Sequence, residues 1–210
     1  MVNDERIRRD LFCLGASAGG IEALIGIIGR LPRDLPAALA IVLHRSPSHA
    51  SMLAALLGRH TVLTVVEPKQ GEAVEHGKIY LAPRDLHLVL DGEGWTLSDR
   101  PPVHRARPAV DPLFTSAAGS RGSRVAGVLL SGGGTDGVQG LIAIKRHGGL
   151  SIAQEPAQAA HSSMPEAAIK YDDVDLILRV EPIAAVTCSL AEGRPIGDSD
   201  GFAAAAEGRR

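Results

Sequence analysis

The strongest constraint on the fold is a repeated unit: an apolar run short enough for one buried strand, then a loop of glycine and small polar residues, then helical spacing. It is clearest in LFCLGASAGGIEALIGIIGRL, where residues 11–15 read as a strand. Gly19 and Gly20 allow a tight turn there, and the apolar residues that follow take helical intervals up to Pro32 and Pro36. The unit recurs as ALAIVL, then HRSPSH, then ASMLAALLGRH, and again as VAGVLL, SGGGTDG and VQGLIAIKRHG. Alternation of this kind predicts an α/β fold: a doubly wound, mainly parallel sheet with helices on both faces.

The remaining segments extend that pattern with one interruption. TVLTVVEP reads as a third strand, but from Lys78 onward KIYLAP, LHLVLDG and WTLS are short extended pieces between turn residues, and they predict a small antiparallel insertion. A Pro- and Arg-rich stretch, RPPVHRARPAVDP, then leads to a helix around residues 113–118. Further on, LSIAQ and VDLIL read as strands, SSMPEAAIKY as a helix with Pro165 in its first turn, and PIAAVTCSLAEG as a closing helix. We expect one domain over residues 1–192 and a mobile tail over 193–210, whose small and charged residues lack amphipathic pattern.

Composition narrows the function. An apolar fraction of 45% over 210 residues supports a continuous core. The net charge of −2 is spread without a basic block, so nucleic acid is not an expected partner. Cys13 and Cys188 form neither a disulfide framework nor a paired metal-ligand spacing and read as reduced thiols, so no metal site is expected. The charged start MVNDERIRRD lacks the apolar core of a signal peptide, and no segment approaches the ~20 apolar residues of a membrane span. The expected location is the cytoplasm, with no membrane insertion.

Each of the three loops that follow the apolar runs carries a residue suited to hydrolysis: Ser17, His44 and Asp136. The ends of separate strands meet at one edge of an open parallel sheet, so these residues can converge. Ser17, on a strand-to-helix turn, can present its hydroxyl beside backbone N–H groups that face a developing oxyanion. His44, with an ordinary pKa near ~6.5, can take that proton and return it to a leaving group. Asp136 can orient the imidazole through its other nitrogen. His49 is the second choice for the base.

Each residue also has a plainer reading: Ser17 as a helix cap or part of a phosphate loop, His44 as a packed or surface histidine, Asp136 as a cap. The glycine spacing does not reproduce G-x-G-x-x-G, however, and His44 occupies the place where a dinucleotide fold usually puts a ribose-binding carboxylate. That comparison favours hydrolysis.

GASAGGIEAL, VLHRSPSH, RPAVDPLF and LLSGGGTDGVQG, in that order, resemble the catalytic domain of the chemotaxis protein-glutamate methylesterases. GEAVEHGKIYLAPRDLHL and SSMPEAAI extend the resemblance over roughly residues 11–190. It implies hydrolysis of glutamate methyl esters on the cytoplasmic helices of chemotaxis receptors, with glutamine deamidation as a related activity and no cofactor. It assigns Ser17 as nucleophile, His44 as general base and then acid, and Asp136 as the residue that orients it. Amides near Ala18 and in the Gly132–Gly134 loop become candidate oxyanion donors. Arg107, Pro108, Asp111, Met164 and Pro165 either shape the rim or serve the fold.

Two departures stand out: many members carry Thr and Met where this chain has Ala18 and Gly133. Only about ten residues precede the first strand, so phosphorylation control within the chain is not expected. A non-enzymatic receptor-binding module and a hydrolase of small esters remain the alternatives.

Overall fold

A computed structural model of the protein describes residues 7–44, 52–172 and 174–197. Seven strands form one parallel sheet: β1 (Leu11–Ala16), β2 (Ala38–Leu43), β3 (Thr64–Val66), β4 (Lys78–Leu81), β7 (Val125–Leu129), β8 (Leu150–Gln154) and β9 (Leu176–Leu178). Their order is β3-β4-β2-β1-β7-β8-β9. Strands β5 (His87–Asp91) and β6 (Gly94–Ser98) pair separately as an antiparallel hairpin. The doubly wound parallel sheet with a small antiparallel element is therefore present.

One part of the expected layout needs correction. KIYL does not belong to the antiparallel insertion; it is β4, hydrogen-bonded in parallel between β3 and β2. The connection from β3 to β4 is not a helix but an extended loop that pairs with the hairpin. Gly71 N–H donates to Trp95 O at 2.7 Å, and Trp95 N–H to Glu72 O at 2.8 Å. Short strands joined without a helix lose the strand-helix rhythm on which the sequence reading depended.

Period-2 alternation divides the buried strands between two cores. Phe12, Leu14, Leu39, Ile41, Ile79 and Leu81 face α1 (Gly20–Ile28), α2 (Leu53–Gly58) and α6 (Val180–Glu192). Leu11, Cys13, Ala38, Ala40, Val42 and Tyr80 face the hairpin, α3 (Val110–Arg121), α4 (Val138–Arg146) and α5 (Ser163–Asp172). Helix α3 starts before the expected 113, its first turn stabilised from outside the segment, and runs on past 118 to Arg121. Gly193, left-handed at φ 70°, ends α6 with Arg194 N–H bonded to Ser189 O. Residues 198–210, most of the expected tail, and His49 lie outside the described residues.

From β1 the chain makes β2, passes to the sheet edge as β3, comes back as β4 between β3 and β2, and then crosses to β7 on the other side of β1. The order therefore reverses between β1 and β7, the place where open α/β sheets gather their functional loops.

Candidate active site

Ser17 directly follows β1, His44 directly follows β2, and Asp136 lies in the loop between β7 and α4. The three strands are neighbours at the centre of the sheet, and backbone bonds carry their pairing into the loops. His44 N–H donates to Ala16 O at 3.1 Å, and Ser17 N–H to Ser131 O at 2.9 Å. The side chains meet. His44 Nδ1 stands 3.2 Å from Ser17 Oγ, and His44 Nε2 stands 2.6 Å from Asp136 Oδ2. With Asp136 ionised, Nε2–H donates to the carboxylate, which leaves the Nδ1 lone pair to accept the Ser17 hydroxyl proton.

Asp136 is 1% exposed, and its carboxylate is held by more than His44. Oδ2 also accepts Val110 N–H at 2.7 Å, and Oδ1 accepts Asp111 N–H at 3.0 Å. These are the first two amides of α3, whose N-cap Ala109 supplies no side-chain bond. Orphan donors at a helix start thus become partners of the acid, with the helix dipole favouring its charge. Burial alone would raise the Asp136 pKa, but the bonds from His44, Val110 and Asp111 outweigh it, and the carboxyl titrates below its ordinary range.

Glycines permit the close approach of the loops. A Cβ on Gly19, left-handed at φ 69°, would stand 2.6 Å from Ala160 Cβ. One on Gly132 would stand 2.3 Å from Met164 Sδ and 2.8 Å from Ser17 Cβ. Met164 is fully buried, so it both belongs to the first turn of α5 and backs the serine loop. Gly132 N–H, one expected oxyanion donor, is instead bonded to His161 O at 2.9 Å. Ala18, Gly133 and Gly134 N–H have no hydrogen-bond partner among the described residues and remain the available donors.

Arg107 binds Asp85 Oδ1 at 2.9 Å and Asp99 O at 2.7 Å, fastening the segment before α3 to the loops around the hairpin. Asp111 caps α4 rather than its own helix, accepting Gly137 N–H at 3.0 Å and Gly140 N–H at 2.7 Å on Oδ1.

Several contributors had little or no signal in the sequence. Ser131 Oγ bridges the serine loop and the β8–α5 connection, donating to Ala18 O at 2.9 Å and accepting His161 N–H at 3.0 Å. Gln154, buried at the end of β8, accepts Ser131 N–H at 2.9 Å. The strand-end rule that selected Ser17 and His44 also reaches Gln154; nothing in the Pro- and Arg-rich stretch singles out His104, which binds Asp111 Oδ2 at 2.9 Å.

His104, Asp111 and Asp136 bring three possible metal-ligand atoms within 4.8 Å of one another. Their carboxylate oxygens, however, already accept N–H groups from α3, α4 and the two histidines. Two clefts, of about 550 and 380 Å³, lie beside the hairpin and α4, and neither is lined by Ser17 or His44.

A family model described as CheB methylesterase matches residues 12–187, a span that includes every element of this site. The chain belongs to the CheB methylesterase family. It is 44% identical over 177 residues to a protein-glutamate methylesterase/protein-glutamine glutaminase of Anaeromyxobacter dehalogenans, covering 84% of this chain and 52% of that protein. It is 37% identical over 174 residues to the protein of the same description from Pyrococcus horikoshii, covering 81% of this chain and 47% of that protein. The chain thus spans about half the length of these curated relatives. The crystal structure of the Thermotoga maritima CheB methylesterase catalytic domain superposes with a TM-score of 0.84 at 32% identity, over 88% of this chain and 100% of that one. CheB-family sequence and CheB catalytic-domain architecture therefore each extend over most of the chain. Among the described residues no helix is long and apolar enough to cross a membrane.

Proposed function

We propose that residues 1–192 form a catalytic domain that hydrolyses glutamate methyl esters on the cytoplasmic helices of chemotaxis receptors and deamidates selected glutamines. The observation that carries this reading is the unbroken chain Ser17–His44–Asp136, at 3.2 and 2.6 Å, on three adjacent strand ends. The names of the relatives support the substrate class, glutamate methyl esters and glutamine amides of proteins; the receptor and the cytoplasmic location belong to the same proposal.

Ser17 Oγ attacks the ester carbonyl while His44 Nδ1 takes its proton, and Asp136 stabilises the resulting imidazolium without itself being protonated. The free Ala18, Gly133 and Gly134 N–H groups are the candidate donors to the oxyanion. The imidazolium then protonates the departing methoxide, which leaves as methanol, or the departing amide nitrogen of glutamine, which leaves as ammonia. Water, deprotonated by His44, attacks the acyl-serine; the acyl–Oγ bond breaks, the imidazolium returns the proton to Ser17 Oγ, and a receptor carboxylate is released. No step uses a cofactor.

The test is methanol release from methylated receptor and from small methyl esters in parallel. Ser17→Ala should lower release at least about 10³-fold while leaving the thermal unfolding curve in place. Equal release by the variant overturns the nucleophile; release from small esters alone overturns the receptor assignment; receptor binding without release favours a binding module.

A further inference from the structure

Asp111 and Asp136 exchange roles across two helices. Asp136 accepts the first amides of α3, and Asp111, in that same first turn, accepts Gly137 and Gly140 N–H at the start of α4. Gly137 is the residue next to Asp136, so the Asp111 carboxylate grips the backbone that carries the acid. Neither helix has a local side-chain cap. The exchange is tight: a Cβ on Gly140 would stand 2.4 Å from Phe114 Cβ and 3.2 Å from Asp111 Oδ1.

Two buried carboxylates this close repel, and the second one has its own imidazole. His104 Nε2 lies 2.9 Å from Asp111 Oδ2, with the His104 side chain 39% exposed. The turn that delivers it is unusual: His104 and Arg105 are non-glycine residues at φ 49° and 64°, closed by Val103–Ala106 backbone bonds at 2.8 and 3.1 Å. Two left-handed central residues are a conformation that normally selects Gly, Asn or Asp, so the surrounding structure holds them there. Burial raises the Asp111 carboxyl above its ordinary range; the Gly140 N–H opposes this, the Asp136 charge adds to it, and His104 opposes it.

We propose that Asp111 and His104 form a positioning dyad, behind and distinct from Ser17–His44–Asp136, that fixes the place and orientation of Asp136 and so the geometry of the relay. The proposal rests on the relay reading above but not on the identity of the substrate. His104 holds Asp111 in register, Asp111 holds the start of α4, and that backbone holds Asp136 against His44.

A fluorophosphonate probe that modifies Ser17 reads the relay without a receptor. Asp111→Ala should slow modification about 10- to 100-fold, the scale expected when a reacting group is displaced by a fraction of an ångström to an ångström. Asp111→Asn keeps an oxygen acceptor for Gly137 and Gly140 and should stay within about threefold of the parent. His104→Ala should fall between them. The downfield proton resonance of the short His44–Asp136 bond should broaden or move in Asp111→Ala and persist in Asp111→Asn.

Wild-type labelling and an unchanged resonance in Asp111→Ala overturn the proposal, as does equal slowing by Ala and Asn. If Asp111→Ala does not fold, His104→Ala decides: labelling at the wild-type rate overturns the dyad. Failure of the wild type to label at Ser17 overturns the relay and the dyad with it. Labelling without methanol release from receptors overturns only the substrate assignment.

Discussion

Removal of the Asp136 carboxylate should weaken the fold as well as the chemistry. In Asp136→Ala, Val110 and Asp111 N–H lose their acceptor, and both donors lie in the buried start of α3. An unsatisfied buried donor costs about 1–3 kcal/mol, and relief of the carboxylate's own desolvation offsets part of two such losses. The expected destabilisation is about 2–5 kcal/mol, or roughly 5–15 °C in Tm for a domain of this size. Asp136→Asn sharpens the test. Its single oxygen can face His44 and Val110, which places the NH₂ against Asp111 N–H, or it can face Asp111, which places the NH₂ against two donors. One clash is unavoidable, so Asn should cost about 1–3 kcal/mol. With the charge gone from behind the imidazole, Ser17 reactivity should fall about 10²- to 10⁴-fold in both variants. Urea unfolding followed by circular dichroism measures the first effect and fluorophosphonate labelling the second. If Asp136→Ala unfolds within 0.5 kcal/mol of the parent, a threshold set by ordinary surface substitutions, the carboxylate does not secure α3 and the reasoning fails.

The same carboxylate sets a pH dependence. Its pKa is depressed in the folded state, so its stabilisation is complete above the unfolded value near ~4 and disappears as pH falls through the folded value. The stability gap between wild type and Asp136→Asn should therefore shrink as pH falls below about 4; a gap that stays the same or widens on that acidification contradicts the assignment. Adjacent glycines should give opposite results. Gly132→Ala meets Met164 Sδ at 2.3 Å and Ser17 Cβ at 2.8 Å and should cost about 1–3 kcal/mol with a marked loss of labelling. Gly133→Ala meets nothing within 4 Å and should unfold within about 0.5 kcal/mol of the parent, so equal destabilisation by the two refutes the packing account.

The sequence made the centre of the sheet legible because β1, β2 and β7 are buried on both faces and read as continuous apolar runs with glycine loops behind them. The same runs placed Ser17, His44 and Asp136, since a strand end is defined by the chain alone. β4 escaped because its connection to β3 pairs with β6 instead of forming a helix, so its membership in the sheet depends on contacts such as Lys78 opposite Thr64. That the Gly132 amide is occupied is hidden from the sequence for a related reason. Glycine allows a backbone to approach a reacting centre, but whether its N–H is available depends on a carbonyl 29 residues away, that of His161.

The Asp111 position shows how far local reasoning extends. An aspartate in the first turn of a helix has an evident local use, satisfying its own helix's amides, and the motif RPAVDPLF offers no reason to look elsewhere. In the folded protein that task passes to Asp136, and Asp111 serves α4. The exchange is possible only because Gly137, at φ 98°, and Gly140 let α4 lie against α3 without intervening side chains. Two separate first-turn patterns thus become mutually dependent once the helices pack. A change that loosens either helix start therefore reaches the imidazole through hydrogen bonds alone, without touching Ser17 or His44.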